Sequence, residues 1–112
     1  MNVSEIAKNA NTSALVLAHL STDLKNQALR LMADALEANC DSILAANKKD
    51  LEFAKNEGIP KALVDRLVLN EEKVRGMSKG IRSVAELQDP VGVVKSVMEM
   101  DQDLVVEQVT CP

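Results

Sequence analysis

Apolar residues recur at three- and four-residue steps from Val3 to Val84, and beyond Asp89-Pro90 that spacing gives way to β-branched runs with partial alternation. The change of period constrains the fold more than any motif does. A residue that precedes proline avoids helical backbone, so Asp89-Pro90 is expected to end the helical part. The chain therefore reads as mainly α with a C-terminal β-hairpin, in two parts: helices over residues 1–90 and a hairpin over residues 91–112.

Five helices are expected. The first runs from Val3 to Leu20 with Val3, Ile6, Ala7, Ala10, Ala14 and Leu17 on one face, and its polar middle, Asn9 to Ser13, predicts a kink or fraying. Ser21 or Thr22 caps the second, which carries Leu24, Ala28, Leu31, Met32, Ala35 and Leu36 and ends near Asn39 or Cys40. Cys40 or Asp41 caps the third, with Ile43, Leu44, Ala46 or Asn47, Leu51, Ala54 and the bulk of Phe53. Gly58-Ile59-Pro60 is a hard break: glycine accepts the left-handed backbone that ends a helix, and proline is pre-set for the first position of the next. A short fourth helix then carries Leu63, Val64, Leu67 and Val68. Asn70 caps the fifth, which presents Val74, Met77, Ile81, Val84 and Gln88 with Ala85 beside them. Strands are expected over Val91–Met100 and Leu104–Cys111, joined by a polar turn, Asp101-Gln102-Asp103. A lone hairpin is marginal in water, and here two strands have no sheet to join. That pattern fits the opening part of a larger protein, or a chain that completes itself by pairing with another.

Composition narrows the function classes. The chain has 112 residues, the size of one modest domain. Phe53 is its single aromatic, so packing must come from Leu, Val, Ala, Ile and Met in closely approaching helices. A net charge of −4 with interspersed signs gives no basic surface for nucleic acid. No apolar run is long enough to span a bilayer, and no signal-peptide pattern opens the chain. The expected location is the cytoplasm, with Cys40 and Cys111 as free thiols.

None of the chemically suggestive residues forms a catalytic set. Asn47-Lys48-Lys49-Asp50 matches a guanine-reading pattern, but no phosphate-binding GxxxxGK[ST] loop accompanies it and it lies in a helical stretch, so it reads as a solvated helix face. Gly76 and Gly80 either admit a second backbone or are simply tolerated. Cys40, near a helix start, has half of what a reactive thiolate needs, but nothing points to a base beside it. His19 stands alone, and no Cys/His/carboxylate group has metal-ligand spacing. Asp65 and Arg66, adjacent on a helix, do not face each other; Arg66 reads as an anchor to another part of a larger protein. Glu71 and Arg75 read as a helix-face pair. The residues alone assign no catalytic, cofactor-binding or metal site.

Three stretches resemble a known family: LAAN-x-x-D-L from Leu44, ALVDRL-x-L from Ala62 and L-x-DPVG from Leu87. Together with KNQALRLMADALEAN upstream and the strand pair downstream, they make nearly the whole chain similar to the N-terminal region of γ-glutamyl phosphate reductases (glutamate-5-semialdehyde dehydrogenases). The resemblance implies an aldehyde dehydrogenase-like α/β fold in the complete enzyme. It also implies NADPH-dependent reduction of L-glutamyl 5-phosphate to L-glutamate 5-semialdehyde in proline biosynthesis. In that family a cysteine thiolate attacks the acyl phosphate, and hydride reduces the thioester. The nucleophile and the cofactor site lie in parts of the family beyond the matched region, so neither Cys40 nor Cys111 takes the catalytic role, and no NADP(H) binding is expected here. Residues 1–90 would belong to the cofactor-binding domain, and residues 91–112 to an extension used in homo-oligomer contacts. One departure lies at the hairpin tip, where the family often has a glycine and this chain has Asp101-Gln102-Asp103. The alternative from another class is a stand-alone helical interaction module that pairs through its hairpin edge.

Overall fold

A computed structural model describes residues 2–112. Its elements are α1 (Val3–Leu17), α2 (Thr22–Ala38), α3 (Cys40–Asn56), α4 (Lys61–Leu67), α5 (Glu71–Ala85), β1 (Val94–Asp101) and β2 (Leu104–Val109). The expected class, helices followed by a hairpin, is the observed one. The chain divides into two compact units, Asn26–Glu86 and the pair of segments Met1–Lys25 and Leu87–Pro112.

The unit Asn26–Glu86 holds the buried residues: Ala33 from α2, Ala54 from α3, Val64 from α4, and Val74, Ser78 and Ala85 from α5. All are small, as a core without aromatics requires. Small side chains let helix axes approach closely, and each buried methyl then meets backbone as well as side chains. Phe53 does not add bulk to this core; it is 64% exposed. Leu63 and Leu67, expected to face inward on α4, are also exposed, and Val64 alone carries that helix's burial. Seven residues make two turns, so α4 is too short to bury a wide stripe.

The breaks between helices differ in detail from expectation. Asn39 occupies the N-cap position of α3, where Cys40 or Asp41 was expected, but its side chain makes no cap bond there. Its amide turns back instead to the Ala35 carbonyl of α2, 2.8 Å away. Gly58 ends α3 as expected, with φ +68°. Its N–H donates to Lys55 O at 3.2 Å and that of Ile59 to Ala54 O at 3.0 Å, the paired bonds of a Schellman motif. Pro60 occupies the cap position of α4 rather than its first helical position, because its ψ of 137° is extended while its carbonyl accepts from Leu63 and Val64. Asn70 caps α5 as expected, accepting from Lys73 N at 2.8 Å. α5 stops at Ala85, four residues short of Asp89, where Glu86 turns its N–H back to Ser83.

In the second unit, α1 opens on a capping box: Asn2 Oδ1 accepts from Glu5 N, and Glu5 Oε2 accepts from Asn2 N. The expected kink over Asn9–Ser13 is absent. The helix is unbroken there, and Thr12 satisfies its hydroxyl on the Lys8 carbonyl one turn back. It ends at Leu17 rather than Leu20, in tight turns from His19 to Val16 and from Leu20 to Leu17. Ser21 caps α2 by accepting from Leu24 N at 3.2 Å. No residue of α1 is buried.

β1 and β2 pair antiparallel, with Val97 opposite Glu107 and Met98 opposite Val106. Both are shorter than the expected Val91–Met100 and Leu104–Cys111. Val91 and Gly92 form a turn before β1, with Gly92 at φ +75°. Asp101 pairs with Leu104, so the loop is Gln102-Asp103 rather than three residues. Asp103 takes φ +63°, supplying the left-handed conformation that glycine usually provides at such a tip.

Candidate functional site

Three side-chain clusters organise the molecule. The first joins α3 to the α4–α5 connection. Asn47 lies mid-helix on α3, half-buried, and its amide spans both directions of a neighbouring backbone. Its Nδ2 donates to Leu67 O at 2.7 Å, and its Oδ1 accepts from Leu69 N at 3.0 Å. Lys73 Nζ takes the intervening Val68 carbonyl at 2.6 Å. Three backbone groups of a connection with no secondary structure, the Leu67 and Val68 carbonyls and the Leu69 N–H, thus find side-chain partners. Lys48, Lys49 and Asp50 are exposed, so the expected solvated helix face holds for these three but not for Asn47. Asn47, offered with Ala46 for the apolar stripe, is a structural clamp, and its bonds to the connection are what sequence reasoning missed.

The second cluster ties α2 to α5. Ser78 is fully buried; its hydroxyl donates to Glu37 Oε1 at 2.6 Å, sits 3.2 Å from Ala33 O, and accepts from Arg82 Nη1 at 2.7 Å. Arg82 then forks onto two carboxylates of α2, Glu37 and Asp34, each at 2.6 Å. The Arg82 hydrogen bond, then that of Ser78, holds the Glu37 carboxyl below the usual range. Glu37 and then Asp34 raise the Arg82 guanidinium further above its already high value. Arg30 and Glu86 add a wider pair at 3.3 Å.

The third cluster fastens the base of the hairpin to the start of α2. Asp89 Oδ2 lies 2.5 Å from Lys25 Nζ and accepts from Thr22 Oγ1 at 2.8 Å, while Oδ1 accepts from Val91 N at 3.0 Å. The side chain is 14% exposed and that of Lys25 24%. The lysine hydrogen bond, then the Val91 N–H, then the Thr22 hydroxyl bring the Asp89 carboxyl down to about 2. Across the hairpin base, Thr110 Oγ1 donates to Pro90 O at 2.6 Å and accepts from Val93 N at 2.8 Å.

These arrangements join elements. Cys40 is half-buried beside a hollow of about 170 Å³ lined with Glu37, Glu71, Val74 and Arg75. No imidazole lines it, and Arg75 is engaged by Glu71 at 2.5 Å, the expected helix-face pair. Cys111 is exposed, and His19 is exposed just past α1. Asp65 and Arg66 are both exposed on α4. Beyond their own helix, nothing lies within 4 Å of where a Cβ would stand on Gly76 or Gly80, so among the described residues no second backbone uses them. Among the described residues no three His, Cys, Asp or Glu side chains could hold a metal, and no helix is long and apolar enough to cross a membrane.

No family model matches the chain. Full-length relatives do. A γ-glutamyl phosphate reductase of Acaryochloris marina is 47% identical over 111 residues, which is 99% of this chain and 26% of that protein. One of Photobacterium profundum is 50% identical over 92 residues, 82% of this chain and 22% of that protein. Among solved structures, the reductase of Thermotoga maritima superposes with a TM-score of 0.89 at 35% identity, covering 96% of this chain and 26% of that one. This chain corresponds to the N-terminal segment of γ-glutamyl phosphate reductases. The Saccharomyces cerevisiae reductase agrees, with a TM-score of 0.85 at 42% identity over 100% of this chain and 29% of its own. The chain thus spans about a quarter of the length of the reductases it matches.

The stretches that carry the resemblance are the joints just described. LAAN-x-x-D-L supplies Asn47, ALVDRL-x-L supplies the Leu67 carbonyl and Leu69 N–H that it grips, and L-x-DPVG supplies Asp89. Ser78, Arg82 and Thr110 fall outside those stretches, and no local pattern marks them, because each has its partner on another element.

Proposed function

We propose that this chain is the N-terminal segment of an enzyme that reduces L-glutamyl 5-phosphate to L-glutamate 5-semialdehyde with NADPH, in proline biosynthesis in the cytoplasm. The observation that carries this reading is 47% identity to a γ-glutamyl phosphate reductase over 99% of the chain. In it, residues 1–90 are helices of the cofactor-binding domain, and residues 91–112 belong to an extension used in oligomer contacts. The segment holds parts of the enzyme in place and contributes no catalytic, cofactor-binding or metal-binding residue.

The residues present do not fit NADP(H). A dinucleotide phosphate needs backbone N–H groups or cations aimed at it. The charged hollow beside Cys40 carries two carboxylates, and its arginine is already paired. No step of the chemistry is therefore assigned to this chain. The alternative, a stand-alone module that pairs through its hairpin edge, has no observation that favours it over the reductase reading.

The test is a chimera in which this chain replaces the matching segment of the Acaryochloris marina reductase. The expected result is phosphate-dependent formation of NADPH from glutamate semialdehyde and NADP⁺ by the chimera, and none by the isolated chain. A folded but inactive chimera, or turnover by the isolated chain, contradicts the reading.

A further inference from the structure

Within the unit formed by Met1–Lys25 and Leu87–Pro112, the hairpin lacks the usual means of holding its direction. Every residue of β1 and β2 is exposed and none of α1 is buried, so no packed face sets the direction of the strands. The backbone just before β1 is permissive, with Gly92 at φ +75°. Among the described residues, the polar side-chain ties between the two segments of this unit all end on one carboxylate. Asp89 Oδ2 takes Lys25 Nζ at 2.5 Å and Thr22 Oγ1 at 2.8 Å, both from the first turn of α2, while Oδ1 takes Val91 N at 3.0 Å. The far strand is carried along, because Thr110 Oγ1 donates to Pro90 O and Gly92 N donates to Thr110 O. Both ends of the hairpin therefore ride on Asp89-Pro90.

We propose that Asp89 is a positioning residue that aims the hairpin. Three donors from two segments meet on its carboxylate and fix the direction in which β1 and β2 leave the start of α2. Asp89 is largely covered, so water competes weakly for those bonds. What an aimed hairpin serves, contact with a second subunit, rests on the reductase reading above. A hairpin held at one angle gives up little swivel freedom when a partner binds, so aiming strengthens association by preorganisation and without a contact of its own.

Direction is read on the full chain by electron-spin distance measurement, with labels at Asp23→Cys and Gln102→Cys in a Cys40→Ser, Cys111→Ser background. The distance distribution is expected to be narrow with Asp89 and about twofold broader in Asp89→Ala. Cross-strand proton contacts between Met98 and Val106 are expected to persist in both. Asp89→Asn, which keeps one acceptor oxygen and loses the ion pair with Lys25, falls between. If Asp89→Ala unzips the hairpin, Lys25→Met is read in its place, since it removes one tie and leaves the Val91 bond intact. An unchanged width in a variant whose strands stay paired overturns the proposal, even where the melting temperature falls. Subunit association of the reductase chimera is scored separately by sedimentation, and Asp89→Ala is expected to weaken it about tenfold. A broadened hairpin with unchanged association refutes the oligomer reading and spares the aiming; weakened association with an unchanged width does the reverse.

Discussion

Single side chains hold this molecule at its joints, and two of them make sharp predictions. Asn47 is matched to a backbone as one strand is to another, donating to Leu67 O and accepting from Leu69 N. Asn47→Ala leaves both groups without a protein partner and is expected to destabilise the chain by about 2 kcal/mol in urea unfolding. Asn47→Asp keeps only the acceptor and turns the second oxygen against a carbonyl, so it should cost no less than the alanine change. Asp89 is tested by pH. Its carboxyl is lowered from 3.8 to about 2 by Lys25, Val91 and Thr22. A lowered folded-state value means that the stabilisation is complete above the unfolded value and is lost as pH falls through the folded one. Thermal melts of the intact chain should therefore lose stability between about pH 4 and pH 2, and Asp89→Asn should remove that part of the decline.

Glycine shows most plainly how an element's context decides the sign of a substitution. Gly58 and Gly80 both have open space where a Cβ would go. Gly58 sits at φ +68° after α3, so Gly58→Ala forces a side chain into left-handed backbone and should destabilise by about 1 kcal/mol. Gly80 lies inside α5 with ordinary helical backbone, so Gly80→Ala should stabilise by up to about 1 kcal/mol. Opposite shifts in denaturant midpoint check both. Equal shifts would mean that one backbone assignment is wrong.

The two units of the whole molecule differ in what protects them. Asn26–Glu86 contains the buried Ala33, Ala54, Val64, Val74, Ser78 and Ala85. α1 and both strands bury nothing. Protection from hydrogen exchange follows burial and cooperative packing. The amides of α1, β1 and β2 in the isolated chain should therefore exchange well before those of α2, α3 and α5, as mass spectrometry of peptides would show. Uniform protection would contradict the division. In the chimera, the same three elements should gain more protection than the rest, because they have the most surface left to cover.

Sequence alone determined whatever depends on neighbours a turn away. Helical spacing placed five helices, Gly58 and Asn70 marked their ends, and the change of period after Pro90 announced the hairpin. Those signals are local, because a cap or a left-handed stop acts within one turn. The same stretches carried the family resemblance, which superposition at a TM-score of 0.89 matches. Only tertiary structure decided what long-range partners do. Asn47 read either as solvated helix face or, with Ala46, as a candidate for the apolar stripe, and its clamp stayed hidden because its partners lie 20 and 22 residues away. Ser78 drew no reading from the sequence, because the Ala33 carbonyl that it bonds lies 45 residues earlier. Asp89 looked like a helix stop until Thr22, 67 residues earlier, bonded its carboxylate. Phe53 looked like core, yet α3 turns it outward. Periodicity says which face is apolar, and packing in three dimensions decides which apolar residues find something to cover them.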